Sequence, residues 1–148
     1  MILVTGSTGL LGSHLIYKLA SSNFNIKALK RKDSDLSFLL KVFSYYCNNY
    51  QELLKKIEWI DGNLNDYNSI KNALKDVSYV YNCAAVVSFN PNDRDTIIST
   101  NTNGTKNIVD ACLKNNIKKL VHVSSIASLG RENANGYINE SSDWDINS

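Results

Sequence analysis

Three groups of residues in this chain have types and spacings suited to chemistry. Gly6, Gly9 and Gly12 form a G-x-x-G-x-x-G run. It follows the apolar stretch Ile2-Leu3-Val4 and precedes Leu15, Ile16, Leu19 and Ala20 at helical spacing. A strand, a glycine turn and a helix in that order bring the N–H groups of a helix N-terminus to a pyrophosphate. Gly6 is expected to turn the chain off the strand, Gly9 to let backbone approach the phosphates, and Gly12 to let the helix pack on the sheet. The second group is Lys30-Arg31-Lys32, at the end of the strand expected over residues 25–30. In a dinucleotide fold an acid at this place accepts hydrogen bonds from the adenosine ribose and selects NAD. Here the acid is replaced by cations. Arg31 can grip a 2′-phosphate with a planar, charge-assisted fork, helped by Lys30 or Lys32. The expected cofactor is therefore NADP(H), with NAD the lesser candidate and a solvated charge run the plain alternative. The third group is Ser124-Ser125, at the end of the apolar segment 118–123; a strand-end cap is its ordinary reading, and hydrogen-bond donation to a substrate its chemical one.

These groups need elements to position them, and strand-like and helix-like segments alternate along the chain. Asp33-Ser34-Asp35 can cap a helix that carries Leu36, Leu39, Leu40 and Phe43, and helix resumes over 51–56. The aromatics Tyr45 and Tyr46 read as core rather than ligand site. Strands are expected at 57–60 and 77–82, the second apolar without clean alternation, as in a parallel strand covered on both faces. Asp66 is a good N-cap for a helix over 67–75. Pro91 starts a long helix over 92–115 whose polar middle, Thr100 to Thr105, contains Gly104 and points to close packing or a site-facing stretch. Residues 126–148 read as loop. The pattern predicts one α/β domain over residues 1–148, a Rossmann-type doubly wound parallel sheet with strand order 3-2-1-4-5.

Composition narrows the field. The 148 residues carry a net charge of +2 with the charges scattered, so no basic stripe invites nucleic acid. No apolar run approaches the ~20 residues of a membrane span, and the N-terminus lacks the basic region of a signal peptide. Cys47, Cys83 and Cys112 are far apart and form no C-x-x-C pair, which excludes a zinc or dithiol motif and suits free thiols in a reducing cytoplasm. His14 and His122 are isolated, and His122, within an apolar strand, is expected to be packed or hydrogen-bonded.

Five motifs in order resemble the extended short-chain dehydrogenase/reductase family of the NAD(P)-dependent epimerase/dehydratase type. They are Thr5-Gly6-Ser7-Thr8-Gly9-Leu10-Leu11-Gly12, Gly62-Asn63-Leu64-Asn65-Asp66, Asn82-Cys83-Ala84-Ala85, Asn101-Thr102-Asn103-Gly104-Thr105 and Val121-His122-Val123-Ser124-Ser125. Arg31 resembles the dihydroflavonol-reductase-like branch, whose members reduce ketones or aldehydes with NADPH; the sugar-nucleotide epimerases more often keep the acid at the Lys30 position. The resemblance implies that Thr8, Leu10 and Leu11 belong to the phosphate loop, that Asn63 and Leu64 flank the adenine, and that Ala84, Ala85 and Val123 line the cofactor path. It implies that Asn101 orders the long helix and that Ser125 is the catalytic serine, polarising a small-molecule carbonyl for hydride attack. It also implies a Tyr-x-x-x-Lys pair on the next helix, the tyrosine serving as general acid. That pair falls past Ser148, and Tyr137 is no substitute because Ser141 occupies the lysine position. The chain is therefore expected to be the N-terminal part of a longer enzyme, truncated before the catalytic tyrosine helix, inactive alone, and able to form a homodimer only through the full-length protein. A dinucleotide-binding sensor is the non-enzymatic alternative.

Overall fold

The structure is a computed structural model and describes residues 1–130 and 136–142. Five parallel strands, β1 (Ile2–Thr5), β2 (Ile26–Lys30), β3 (Ile57–Asp61), β4 (Tyr79–Asn82) and β5 (Lys119–His122), form one sheet in the order β3-β2-β1-β4-β5. This is the order expected from the sequence. The reversal between β2 and β4, on either side of β1, opens a crevice at the carboxyl ends of the strands, where ligands bind in such sheets.

Each crossover is helical. α1 (Leu10–Ser21) joins β1 to β2, and α2 (Ser37–Tyr46) and α3 (Tyr50–Leu54) join β2 to β3. α4 (Tyr67–Ala73) joins β3 to β4. Asp35 and Asp66 work as expected at helix starts: Asp35 accepts from Ser37 N–H at 2.8 Å and Asp66 from Asn68 N–H at 2.9 Å. The hydrogen bonds from Ser37 also hold the Asp35 carboxyl below its usual range.

The core has two layers, one on each face of the sheet. On one face Ile2, Val4, Ile26, Ala28 and Ile57 meet Ile16 and Leu19 of α1 and Leu39 and Phe43 of α2. On the other Leu3 and Val80 meet Ile70 and Ala73 of α4 and Ile108 and Ala111 further along the chain. Tyr45 and Tyr46, expected in the core, are both exposed, although Tyr46 stacks on Tyr17 with ring centroids 4.3 Å apart. Lys27, near the start of β2, is only 5% exposed, which no local pattern announces. Its ammonium donates to the Lys75 carbonyl at 2.6 Å, just past α4, and lies 3.6 Å from Glu58. Carbonyls at the end of a helix are a favourable place for a buried cation.

The long helix expected over 92–115 is not continuous. A short 3-10 turn (Pro91–Asp93) leads into α5 (Arg94–Ile98), then a π-helical turn (Ser99–Asn103), then α6 (Gly104–Lys114). The polar middle that weakened the helical pattern is where the helix widens, and such π turns concentrate at functional sites.

Candidate functional site

The glycine run occupies the turn between β1 and α1. Gly6 has φ +62°, a conformation that side chains with a Cβ rarely adopt. A Cβ there would also stand 2.7 Å from the backbone of Ala84, so the β1 and β4 ends touch through this residue. Gly12 turns out to be needed inside the loop rather than for packing on the sheet: its Cβ would fall 2.1 Å from the Gly6 carbonyl oxygen. Gly9 is different, since a Cβ there would meet only that same oxygen, at 3.3 Å. Gly9 caps α1 without a side-chain hydrogen bond, and no acidic residue lies in the first turn. Unbonded first-turn N–H groups and the positive end of the helix dipole make an anion site. Thr8 is half-buried and Leu10 and Leu11 are exposed around it. Ser7, which is buried, donates to the Leu29 carbonyl at 2.6 Å and so fixes the loop to the end of β2.

Past that end lies a groove of about 410 Å³, lined by Arg31, Lys32, Asp33, Asp61, Asn63 and Asp66 among others. Arg31 and Lys32 are exposed in it. Lys30 is not on its wall; its ammonium is turned to Asp61, at 2.5 Å. Asn63 holds an Asx turn, its Oδ1 accepting from Asn65 N–H at 3.0 Å. The Leu64 side chain is buried in the core against Gly104, where a Cβ would come 2.9 Å from Leu64 Cβ. Leu64 can therefore flank a ligand only with backbone, and its carbonyl accepts from Asn107 Nδ2 at 2.9 Å.

At the other end of the crevice, Ala84 is half-buried and Ala85 exposed. Asn101, on the π turn, brackets Val86: Val86 N–H donates to Asn101 Oδ1 and Asn101 Nδ2 donates to the Val86 carbonyl, both at 2.8 Å. A row of polar side chains crosses the strand ends. Thr5 Oγ1 donates to Asn82 Oδ1 at 2.5 Å, and Asn82 Nδ2 lies 3.0 Å from His122 Nδ1. Val123 N–H donates to the Asn82 carbonyl and extends β5 by one rung. Ser125 caps the 3-10 turn Ile126–Ser128, with Oγ accepting from Ala127 N–H at 3.1 Å. A hydroxyl that caps with a lone pair keeps its hydrogen to donate. Tyr137 and Ser141 are both exposed. Cys83 and Cys112 sit in the fold as free thiols, both pushed up by burial, Cys112 to about 11.

The glycine loop, the groove and the row of polar strand ends lie along one edge of the sheet, and the residues fit a dinucleotide: space beside Gly9, an uncapped helix start and cations at the β2 end. Residues 2–145 match the NAD dependent epimerase/dehydratase family. The chain belongs to that family. Its relatives in sequence include the sterol demethylase protein B of Methylococcus capsulatus, 31% identical over 128 residues that make up 86% of this chain and 35% of that protein. Another is the vestitone reductase of Medicago sativa, 24% identical, with 97% of this chain and 43% of that protein covered. Among solved structures, MoeE5 in complex with UDP-glucose and NAD superposes with a TM-score of 0.68 at 26% identity, covering 88% of this chain and 38% of that one. The chain thus spans about a third to two fifths of the length of these relatives. The epimerase/dehydratase family is enzymatic and NAD-dependent, and it includes reductases, epimerases and dehydratases.

Among the described residues of this epimerase/dehydratase chain, no cluster of His, Cys, Asp and Glu could hold a metal ion, and no helix is long and apolar enough to cross a membrane. Sequence reasoning missed Asp61, Asn107 and Ser7. Asp61 precedes the Gly62 motif at once, but its place beside Lys30 depends on the strand register, which no local pattern displays.

Proposed function

We propose that this chain is the cofactor-binding part of an NADP(H)-dependent oxidoreductase that reduces a ketone or aldehyde. The observation that carries the reading is the groove at the ends of β2 and β3, where Arg31 stands on the wall and the last residue of β2 is Lys30 rather than an acid. Gly6, Thr8, Gly9, Leu10, Leu11 and Gly12 hold the pyrophosphate through backbone N–H groups of the loop and the first turn of α1. Arg31, with Lys32, holds the 2′-phosphate. Asn63 and the backbone of Leu64 flank the adenine. Ala84, Ala85 and Val123 line the nicotinamide side, and Asn101 positions that wall by bracketing Val86. NADPH bound there supplies the hydride. Ser125 donates a hydrogen bond to the substrate carbonyl oxygen and stabilises the charge that develops on it. A tyrosine outside these residues donates the proton.

A second reading, sugar-nucleotide epimerisation or dehydration on a retained cofactor, is favoured by the similarity to MoeE5, which was solved with UDP-glucose and NAD. Titrating the protein with NADPH and NADH separates the readings at the binding step. NADPH is expected to bind at least about 10-fold more tightly, the scale of one charge-assisted pair, and Arg31→Ala to abolish the difference. Equal affinity, or a preference for NADH, would overturn the reading. Net consumption of NADPH with a carbonyl substrate distinguishes reduction from epimerisation.

A further inference from the structure

Lys30 and Asp61 are the last residues of neighbouring strands and stand opposite one another in register. Lys30 Nζ donates to Asp61 Oδ1 at 2.5 Å. The two side chains are unequally buried, 16% exposed for Lys30 and 55% for Asp61. The ammonium therefore lies behind and the carboxylate in front, on the same groove wall as Arg31. β3 thus delivers a carboxylate to the neighbourhood in which β2 lacks one. A carboxylate accepts a hydrogen bond from a ribose 2′-hydroxyl and repels a 2′-phosphate, so Asp61 opposes Arg31. Lys30 is its counter-ion. The other acids of the groove differ in position: Asp66 is occupied at the start of α4, and Asp33 lies beyond Arg31 in the loop.

We infer that the pair of Lys30 and Asp61 sets how strongly this protein distinguishes adenosine nucleotides with a 2′-phosphate from those without, Asp61 opposing the phosphate and Lys30 muting that opposition. The inference rests on the adenosine site proposed at Arg31. Lys30 is then a positioning and charge-balancing residue rather than a direct contact, and Asp61 a specificity-determining one. Because the groove is wet, each change of one unit charge is screened and is expected to move the preference about 5-fold.

The test is calorimetric titration of the chain with adenosine 2′,5′-bisphosphate and with adenosine 5′-monophosphate, read as the ratio of the two affinities. Asp61→Asn releases the Lys30 ammonium and should raise the ratio about 5-fold. Lys30→Met keeps the length of the stem but leaves the carboxylate uncompensated, and should lower it by a similar factor. The double variant restores neutrality and should return near the starting ratio. Unchanged ratios in both single variants, with a collapse in Arg31→Ala, would overturn the role of the pair while leaving the adenosine site standing. An unchanged ratio in Arg31→Ala, or no binding of either nucleotide, would remove the site and the inference with it. Should Lys30→Met fail to fold, Asp61→Asn alone decides: no rise in the ratio overturns the inference.

Discussion

β1 and β2 are buried on both faces, whereas β5 is exposed on the face toward α1 and β4 is only partly covered there. Over β1 and β2, α1, α2 and α3 bury one face and α4 with α6 the other, and β1 is buried at every residue, while β3 at the sheet edge keeps Glu58 and Asp61 exposed. On the α1 side of β4 and β5, Tyr79, Val121 and Val123 keep 43%, 36% and 42% of their surface exposed, although strand register places Tyr79 beside the buried Ile2. The end of the crevice proposed for adenosine therefore rests on the more closed part of the core. The end that carries Ser125, itself exposed, rests on a half-covered one. The proposed cofactor grip and the proposed reaction chemistry are thus supported by unequal amounts of packing within the same sheet.

The largest expected effect sharpens this contrast in stability. Phe43→Ala empties a fully buried site and should cost about 3–5 kcal/mol in urea unfolding, whereas Val121→Ala should cost less than about 1. Equal costs would show that β5 is as well packed in solution as the core layer under α2. The glycines give the next contrast. Gly12→Ala drives a Cβ into the Gly6 carbonyl and should lose about 2 kcal/mol or more together with nucleotide binding. Gly9→Ala meets that oxygen only at 3.3 Å and should keep stability within about 1 kcal/mol while weakening NADPH binding in fluorescence titration.

These contrasts also show what the sequence made legible. The glycine loop, the Asp35 turn before α2 and the Asp66 cap follow from local chemistry, which is written in consecutive residues, and the strand order follows from the alternation of strands and helices. Lys30 was legible as a cation but not as the partner of Asp61, because 31 positions separate them and only the β2-β3 register joins them. Leu64 read as a ligand neighbour, yet Gly104, 40 positions on, draws its side chain into the core. The polar residues around Gly104 marked a weak stretch of the expected long helix, but neither its break nor its π form was legible, since the bracket on Val86 is a tertiary demand.

Smaller effects probe the weaker half directly. Asn101→Ala removes both hydrogen bonds to Val86 and should cost about 1–3 kcal/mol, with hydrogen exchange at Val86 accelerated and exchange in β2 unchanged. The smallest effect is alkaline. Burial raises the Cys112 thiol from 9.0 to about 11, so above pH 9 the unfolded chain loses that proton before the folded one does. Stability should fall between about pH 9 and about pH 11 and level off beyond. Cys112→Ala should flatten that part of the urea midpoint against pH, and alkylation should reach Cys112 after the half-buried Cys47.

The helix that carries Asn101 and Asn107 acts as a gauge. One asparagine grips the loop after β4 and the other the loop after β3, six positions apart in the sequence. At about 1.5 Å per residue that is a spacing of roughly 9 Å along the axis. A single residue inserted or deleted between them would swing one grip about 100° around the helix and disconnect it. Gly104 apart, side chains between the two asparagines can vary while their count cannot, so the distance between the two ends of the crevice is held by arithmetic as much as by packing.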